Sequence, residues 1–295
     1  MNILLFGKNG QVGWELQRAL APLGQVLALD YSSVEFCGDF RKPEGIAETV
    51  RRVKPQVIVN AVAHTAVDKA ESEPDLAELI NATSVAALAK AAEEVGALLV
   101  HYSTDYVFNG SSDTPWVESD QTAPLNVYGQ TKLCGEEAIQ QHTSRYLIFR
   151  TSWVYAAKGN NFARTMLRLA KDRDTLSVIN DQFGTPTGAE LLADCTAHAI
   201  KTELLNPSVT GLYHLIASGE TTWHAYASMV IGYAREKGMV LQVENINPVP
   251  TTAFPTPAAR PLNSRLDATK FQTTFGLVMP HWELGVKRML DEILA

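Results

Sequence analysis

The chain has 295 residues, 46% of them hydrophobic and 19% charged, which fits a folded globular protein and excludes intrinsic disorder. With 25 basic and 32 acidic residues the net charge is −7, so a polyanionic nucleic-acid partner is disfavoured. No apolar run approaches the roughly 18 residues of a membrane span, and three widely spaced cysteines (Cys37, Cys134, Cys195) argue against a disulfide framework and for a reducing, cytoplasmic setting.

The N-terminal MNILLFGKNG has no basic leader and enters a strand at 2–6 directly, so no signal peptide is expected. Further short runs rich in Val, Ile and Leu lie at 25–30, 56–60, 97–102 and 145–150. Their length and composition predict strands buried on both faces of a parallel sheet. Helical periodicities fall between them, at 12–20 and 76–95. This alternation predicts an α/β fold, a doubly wound, mostly parallel Rossmann sheet with right-handed crossovers. Beyond residue 170 the pattern loosens. Pro and Gly crowd 184–188 and 248–261, which predicts loops, and helices are expected at 221–237 and 280–294. The expected organisation is a dinucleotide-binding domain over 1–170, a return of the chain to it near 188–216, and a smaller α/β substrate domain over 171–295.

Gly7-Lys8-Asn9-Gly10-Gln11-Val12-Gly13 stands between the first strand and the first helix. Glycines there allow a sharp turn and close approach of a pyrophosphate, whose charge the free N–H groups of the helix start would meet. Asp30 closes the second strand, where an acid accepts hydrogen bonds from a ribose 2′-hydroxyl. That favours NADH, whereas Arg41 and Lys42 nearby suit the 2′-phosphate of NADPH, and both stay open. Asp39 and Phe40 lie where an adenine ring is expected, unless they are a loop acid and a core aromatic. The small residues Ala61, Val62 and Ala63 leave the third strand with room for a cofactor against the backbone.

Tyr128 and Lys132 are four residues apart on a predicted helix and so share a face. A neighbouring ammonium stabilises a phenolate and lowers the phenol's pKa, which suits a tyrosine to acid–base work on a carbonyl or alcohol. Thr104 ends the fourth strand, on the side where doubly wound sheets bind ligands. Any of these features alone is weak. Their order and spacing together point to a nicotinamide-dependent carbonyl reductase.

These residues resemble those of the short-chain dehydrogenase/reductase superfamily, in its extended, nucleotide-sugar branch, and within it the dTDP-4-dehydrorhamnose reductase family. The blocks NAVAHTAVDKAE (60–71), STDYVFNG (103–110), PLNVYGQTK (124–132), RTSWVY (150–155), NDQFGTPT (180–187) and ARPLNSRLD (259–267) carry the likeness over nearly the whole chain. The resemblance implies NAD(P)H-dependent reduction of the C4 ketone of dTDP-6-deoxy-L-lyxo-4-hexulose to dTDP-L-rhamnose, a precursor of surface polysaccharide. It implies Tyr128 as proton donor, Lys132 as its partner and ribose ligand, and Thr104 as a hydrogen-bonding group. Asp105, Trp153, Asp181, Gln182 and Arg260 are implied as sugar-nucleotide contacts. It further implies a cytoplasmic homodimer and Mg²⁺ held by Glu15, Glu190 and Glu292, although those three show no ligand spacing of their own. Tyr106 stands where related 4,6-dehydratases carry Glu, so dehydration is not expected. Two rival readings remain: a reductase or epimerase of another nucleotide sugar, and a non-catalytic, dinucleotide-sensing subunit such as those of methionine adenosyltransferases.

Overall fold

A computed structural model describes residues 1–295. Its central sheet has six parallel strands. In chain order the first five are β1 (Asn2–Phe6), β2 (Gln25–Leu29), β3 (Val57–Asn60), β4 (Leu98–Thr104) and β5 (Tyr146–Thr151). The sixth, Gly211–His214, pairs with β5, and the spatial order places β4, β3, β1 and β2 beyond it in turn. The strands are buried because apolar residues point both ways. Leu4, Phe6, Ile58 and Leu99 enter a core under α2 (Pro43–Val53) and the helix Ser84–Val95, while Ile3, Leu5, Val59 and Val100 enter the opposite core with α1 (Gln11–Leu20) and the helix Ala189–Leu205. This is the doubly wound sheet that the alternation predicts.

Helix 76–95 proves to be two elements joined by a π-turn over Leu79–Thr83. That turn buries Asn81, whose side chain accepts the His64 N–H at 2.8 Å and donates to Thr131 Oγ1 at 3.1 Å. The extra residue thus aims a polar side chain between the β3 exit and the helix Val127–His142.

The smaller lobe has its own core. Helices Phe162–Asp172, Trp223–Glu236 and Trp282–Leu294 pack around Tyr226, Val230, Leu167, Trp282 and Val286. The helix Phe162–Asp172, which the expected boundary at 170 assigns to the dinucleotide-binding domain, packs with the helices of this lobe. Two further differences follow from long-range pairing. The strand Asn245–Val249, whose last two residues enter the 248–261 stretch read as loop, forms a parallel pair with Thr175–Ile179, and Pro248 is tolerated because the strand is an edge. Phe271, Phe275 and Met279 return to the core beside α1 although they lie deep in the second half.

Candidate active site

The carboxyl ends of β1, β3, β4 and β5 open into one cleft. Its floor is built from the first loop. Gly7 has φ +92°, and a Cβ there would come within 2.8 Å of the Ala61 carbonyl. At Gly13 a Cβ would meet the Gly7 carbonyl at 2.0 Å, so α1 can approach the strand only without a side chain. One pocket of the cleft is lined by Gly7, Asn9, Gly10, Asp30, Asp39, Phe40 and Ala61–Ala63. The adjoining one, about 1580 Å³ with its solvent mouth, shares Asn9, Gly10 and Ala61–Ala63 and adds Gln11, Val12, Thr104, Asp105, Tyr128, Lys132 and Trp153. The two form a continuous trough from Asp30 to Tyr128, which is the shape an extended dinucleotide requires. The residues present fit that group.

Asp30 is buried. Burial alone would raise its pKa, but Ser32 and Ser33 donate to it and Lys8 adds a positive charge, so it lies below its ordinary value and is ionised. Asn9 also donates to it. Asp39 is held by Arg41 through two bonds of 2.8 and 2.9 Å, which lower its pKa. Arg41 remains more than half exposed at the pocket wall.

At the other end, Asn126 caps the helix Val127–His142. Its Oδ1 accepts the Gly129 N–H at 2.8 Å and its Nδ2 donates to the Ala259 carbonyl at 2.7 Å. Gly129 lets that first turn touch the end of β4, since a Cβ would lie 2.2 Å from the Tyr106 carbonyl. The cap and the close contact fix Tyr128 over the cleft, edge-on to Tyr106 with ring centres 5.8 Å apart. Thr104 Oγ1 donates to Asp105 Oδ1 at 3.1 Å and accepts the Tyr106 N–H at 3.1 Å.

One expectation needs correcting here. Burial pushes the Tyr128 phenol up to about 12, against a lowering by its hydrogen bond with Thr104. Lys132 does not bring it down, because its Nζ is turned to the Tyr102 carbonyl at 2.6 Å and His101 at 3.0 Å. A phenol protonated at neutral pH is nevertheless the state that a reduction consumes. Asp105, enclosed and with Oδ2 unpartnered, is raised to about 7 by burial, which outweighs bonds from Ser264 and Thr104.

A family model for the RmlD substrate binding domain matches residues 1–295. The chain is 69% identical over 295 residues to the dTDP-4-dehydrorhamnose reductase of Salmonella typhimurium, with 100% of this chain and 99% of the relative covered. It is 45% identical to that of Burkholderia thailandensis, with both chains covered completely. The chain belongs to the dTDP-4-dehydrorhamnose reductase family. Among solved structures, the reductase of Clostridium acetobutylicum matches with a TM-score of 0.90 at 35% identity, over 100% of both chains. That of Bacillus anthracis, solved in complex with NADP, matches at 0.88 and 35%, over 99% of both. A Thermus thermophilus UDP-glucose 4-epimerase shares the fold at 17% identity.

Not every residue implied by this reductase family reaches the cleft. Trp153 does, with a positive φ of 48° that presses its indole on Trp223, ring centres 3.6 Å apart. Gly184 makes room for it, as a Cβ there would lie 2.6 Å from the indole. Gln182 stands behind this pair, accepting from Trp223 Nε1 at 3.1 Å and donating to Thr251 at 3.1 Å. Asp181 is turned away altogether and caps the turn at Thr251, with bonds of 2.6 and 2.9 Å. Arg260 is at the rim, bound by Asp68 at 2.8 and 3.1 Å, with Tyr106 beside it. Asp181 and Gln182 are therefore bracing groups, and Arg260 is tethered outside the lining.

Glu15, Glu190 and Glu292 do face one cavity beside the helix Trp282–Leu294. Glu15 is paired with Arg18 at 3.3 Å and Glu190 with Arg288 at 2.9 Å, and no three acidic, His or Cys side chains converge as a metal site. The donors of one chain thus do not form a cage for Mg²⁺, which requires near-octahedral oxygen ligands.

Sequence reasoning missed Trp223, Tyr106, Thr65, Val67 and Asn160 as lining residues. Tyr106 is adjacent to Thr104–Asp105 and could have been added. Trp223 carries no local signal, because only the fold brings it against Trp153.

Proposed function

We propose that this chain reduces the C4 ketone of dTDP-6-deoxy-L-lyxo-4-hexulose to dTDP-L-rhamnose, with Tyr128 as the proton donor. The observation that carries this reading is the position of a protonated, half-buried phenol at the end of a trough that begins at the glycine loop and Asp30. Bound NAD(P)H supplies the hydride. The chain's own residues orient and protonate. Tyr128 delivers its hydroxyl proton to the C4 oxygen as the ketone becomes an alkoxide, and Thr104 holds that oxygen and the phenol in one hydrogen-bonded array. The helix start at Gln11 and the close-packed backbone at Gly7 and Gly13 would hold the pyrophosphate, and Asp30 or Arg41 the adenosine ribose or its phosphate. The Trp153–Trp223 pair offers an apolar wall to the 6-deoxy sugar and keeps water from the reacting carbon. Tyr106 cannot remove a proton beside the carbonyl near neutral pH, because burial raises its pKa further above that of a free phenol. This supports reduction rather than dehydration.

The reading extends to a cytoplasmic homodimer with a dTDP-sugar substrate, supported by the family likeness and by three free thiols suited to a reducing compartment. No helix is long and apolar enough to cross a membrane. The test is incubation of the purified chain with the 4-keto sugar and NADH or NADPH, following absorbance at the nicotinamide band. One cofactor oxidised per dTDP-L-rhamnose formed is the expected result. Turnover of sugar without net cofactor oxidation would mean an epimerase, and no turnover would mean a binding subunit; either overturns the reading.

A further inference from the structure

Lys132 lies wholly buried at the base of the cleft, with the Tyr102 carbonyl 2.6 Å and His101 Nε2 3.0 Å from its Nζ. His101 is as deeply enclosed, and its other nitrogen, Nδ1, is 3.0 Å from Asn60 Nδ2. The orientation of the Asn60 amide is set at the exit of β3, where the Val62 N–H donates to its Oδ1 at 3.0 Å. An amide nitrogen only donates, so His101 Nδ1 must accept. A neutral imidazole carries one proton. It therefore resides on Nε2 and points at Lys132 Nζ. Burial and the neighbouring lysine both hold His101 neutral.

The polarity of this contact has a consequence. When Lys132 is an ammonium, an N–H of His101 faces an N–H of lysine. When Lys132 is an amine, the same N–H donates to its lone pair. We propose that Asn60 and His101 are positioning residues that act through Lys132: the hydrogen-bond chain from Val62 N–H through Asn60 and His101 favours the neutral amine, and so sets the pH at which the positive charge one helical turn from Tyr128 is lost. This rests on the proposed role of Tyr128.

The other charges around Lys132 fit this balance. Burial lowers its pKa to about 8, and Glu136, one turn along the same helix, works in the opposite direction. Glu136 is clamped by Arg150 of β5 at 2.6, 2.9 and 3.2 Å, so much of its attraction is spent on the guanidinium. Asp105, just after β4, and the phenols of Tyr102, Tyr106 and Tyr128 are the other titratable groups lining this end of the cleft.

The tautomer is read directly from two-bond ¹H–¹⁵N correlation spectra of the full chain with labelled histidine, His101 being assigned by its loss in His101→Gln. The expected result is the Nε2–H form. The second measurement is the pH profile of kcat for Asn60→Asp. A carboxylate there accepts from both Val62 N–H and His101 Nδ1–H, which moves the imidazole proton to Nδ1 and turns Nε2 into an acceptor for the ammonium. The alkaline limb should then move up by about one pH unit. An Nδ1–H tautomer in the unaltered chain overturns the proposal, as does an unmoved limb in an Asn60→Asp protein whose tautomer has switched. Failure of the underlying reading has a different signature: Lys132→Met with undiminished turnover would remove Lys132 from the reaction while leaving the tautomer as it is.

Discussion

The two ends of the cleft are built differently. The cofactor end is mostly backbone: Gly7 and Gly13 act by lacking a side chain, and Ala61–Ala63 by being small. The sugar end is mostly side chains held by residues far away in sequence, with Trp153 on Trp223 and Trp223 on Gln182. Tyr128 stands where the two meet. A site made of backbone fails when an atom is added, and a site made of propped side chains fails when an atom is removed.

Three substitutions sharpen this contrast. Tyr128→Phe should have the largest effect. It removes only the hydroxyl at the junction, so kcat should fall by about 10²–10⁴-fold while the KM values for cofactor and sugar change little. Stopped-flow traces with each substrate varied would separate these terms. A rise in either KM that accounted for the loss would mean that the phenol binds rather than reacts.

Gly13→Ala tests the backbone end. A single methyl would sit 2.0 Å from the Gly7 carbonyl, and relief requires α1 to move off the loop. Overpacking of this kind costs about 1–3 kcal/mol, so cofactor affinity should drop about five- to a hundred-fold with the sugar KM nearly unchanged. Calorimetric titration of NADP⁺ and NAD⁺ gives the number directly. Unaltered affinity would show that α1 has freedom the packing does not suggest.

The same contrast explains what the sequence revealed. The cofactor end lies within short spans, so its spacing is visible: strand, glycines, helix, then an acid at the end of the next strand. The Tyr128–Lys132 pair is equally local. Asp181 and Gln182 were expected at the sugar nucleotide, and they brace Thr251 and Trp223. The partner of a polar side chain is a matter of tertiary placement. Trp223 escaped notice for the same reason, and so did the return of Phe271 and Phe275 to the larger core. The acidity of Tyr128 was misjudged because helical spacing says that Lys132 is near. It does not say that Nζ is turned to the Tyr102 carbonyl and lies against His101.

Trp223→Leu tests the propped end and should have the smallest effect. Leucine retains apolar bulk but loses both the stack on Trp153 and the Nε1–H bond to Gln182. An aromatic pair contributes about 0.5–1.5 kcal/mol beyond its area, so the sugar KM should rise about two- to ten-fold with cofactor affinity intact. Trp153 has a backbone φ of 48°, which a non-glycine residue keeps only while its surroundings enforce it. Without the stack that conformation loses one of its supports, and the indole can leave the cleft wall. The change should therefore be greater for the 6-deoxy sugar nucleotide than for free dTDP, because the wall lies beside the reacting ring. Inhibition constants for dTDP measured beside the sugar KM decide this. Equal losses for both would place Trp223 at the nucleotide and reverse the orientation of the substrate along the cleft.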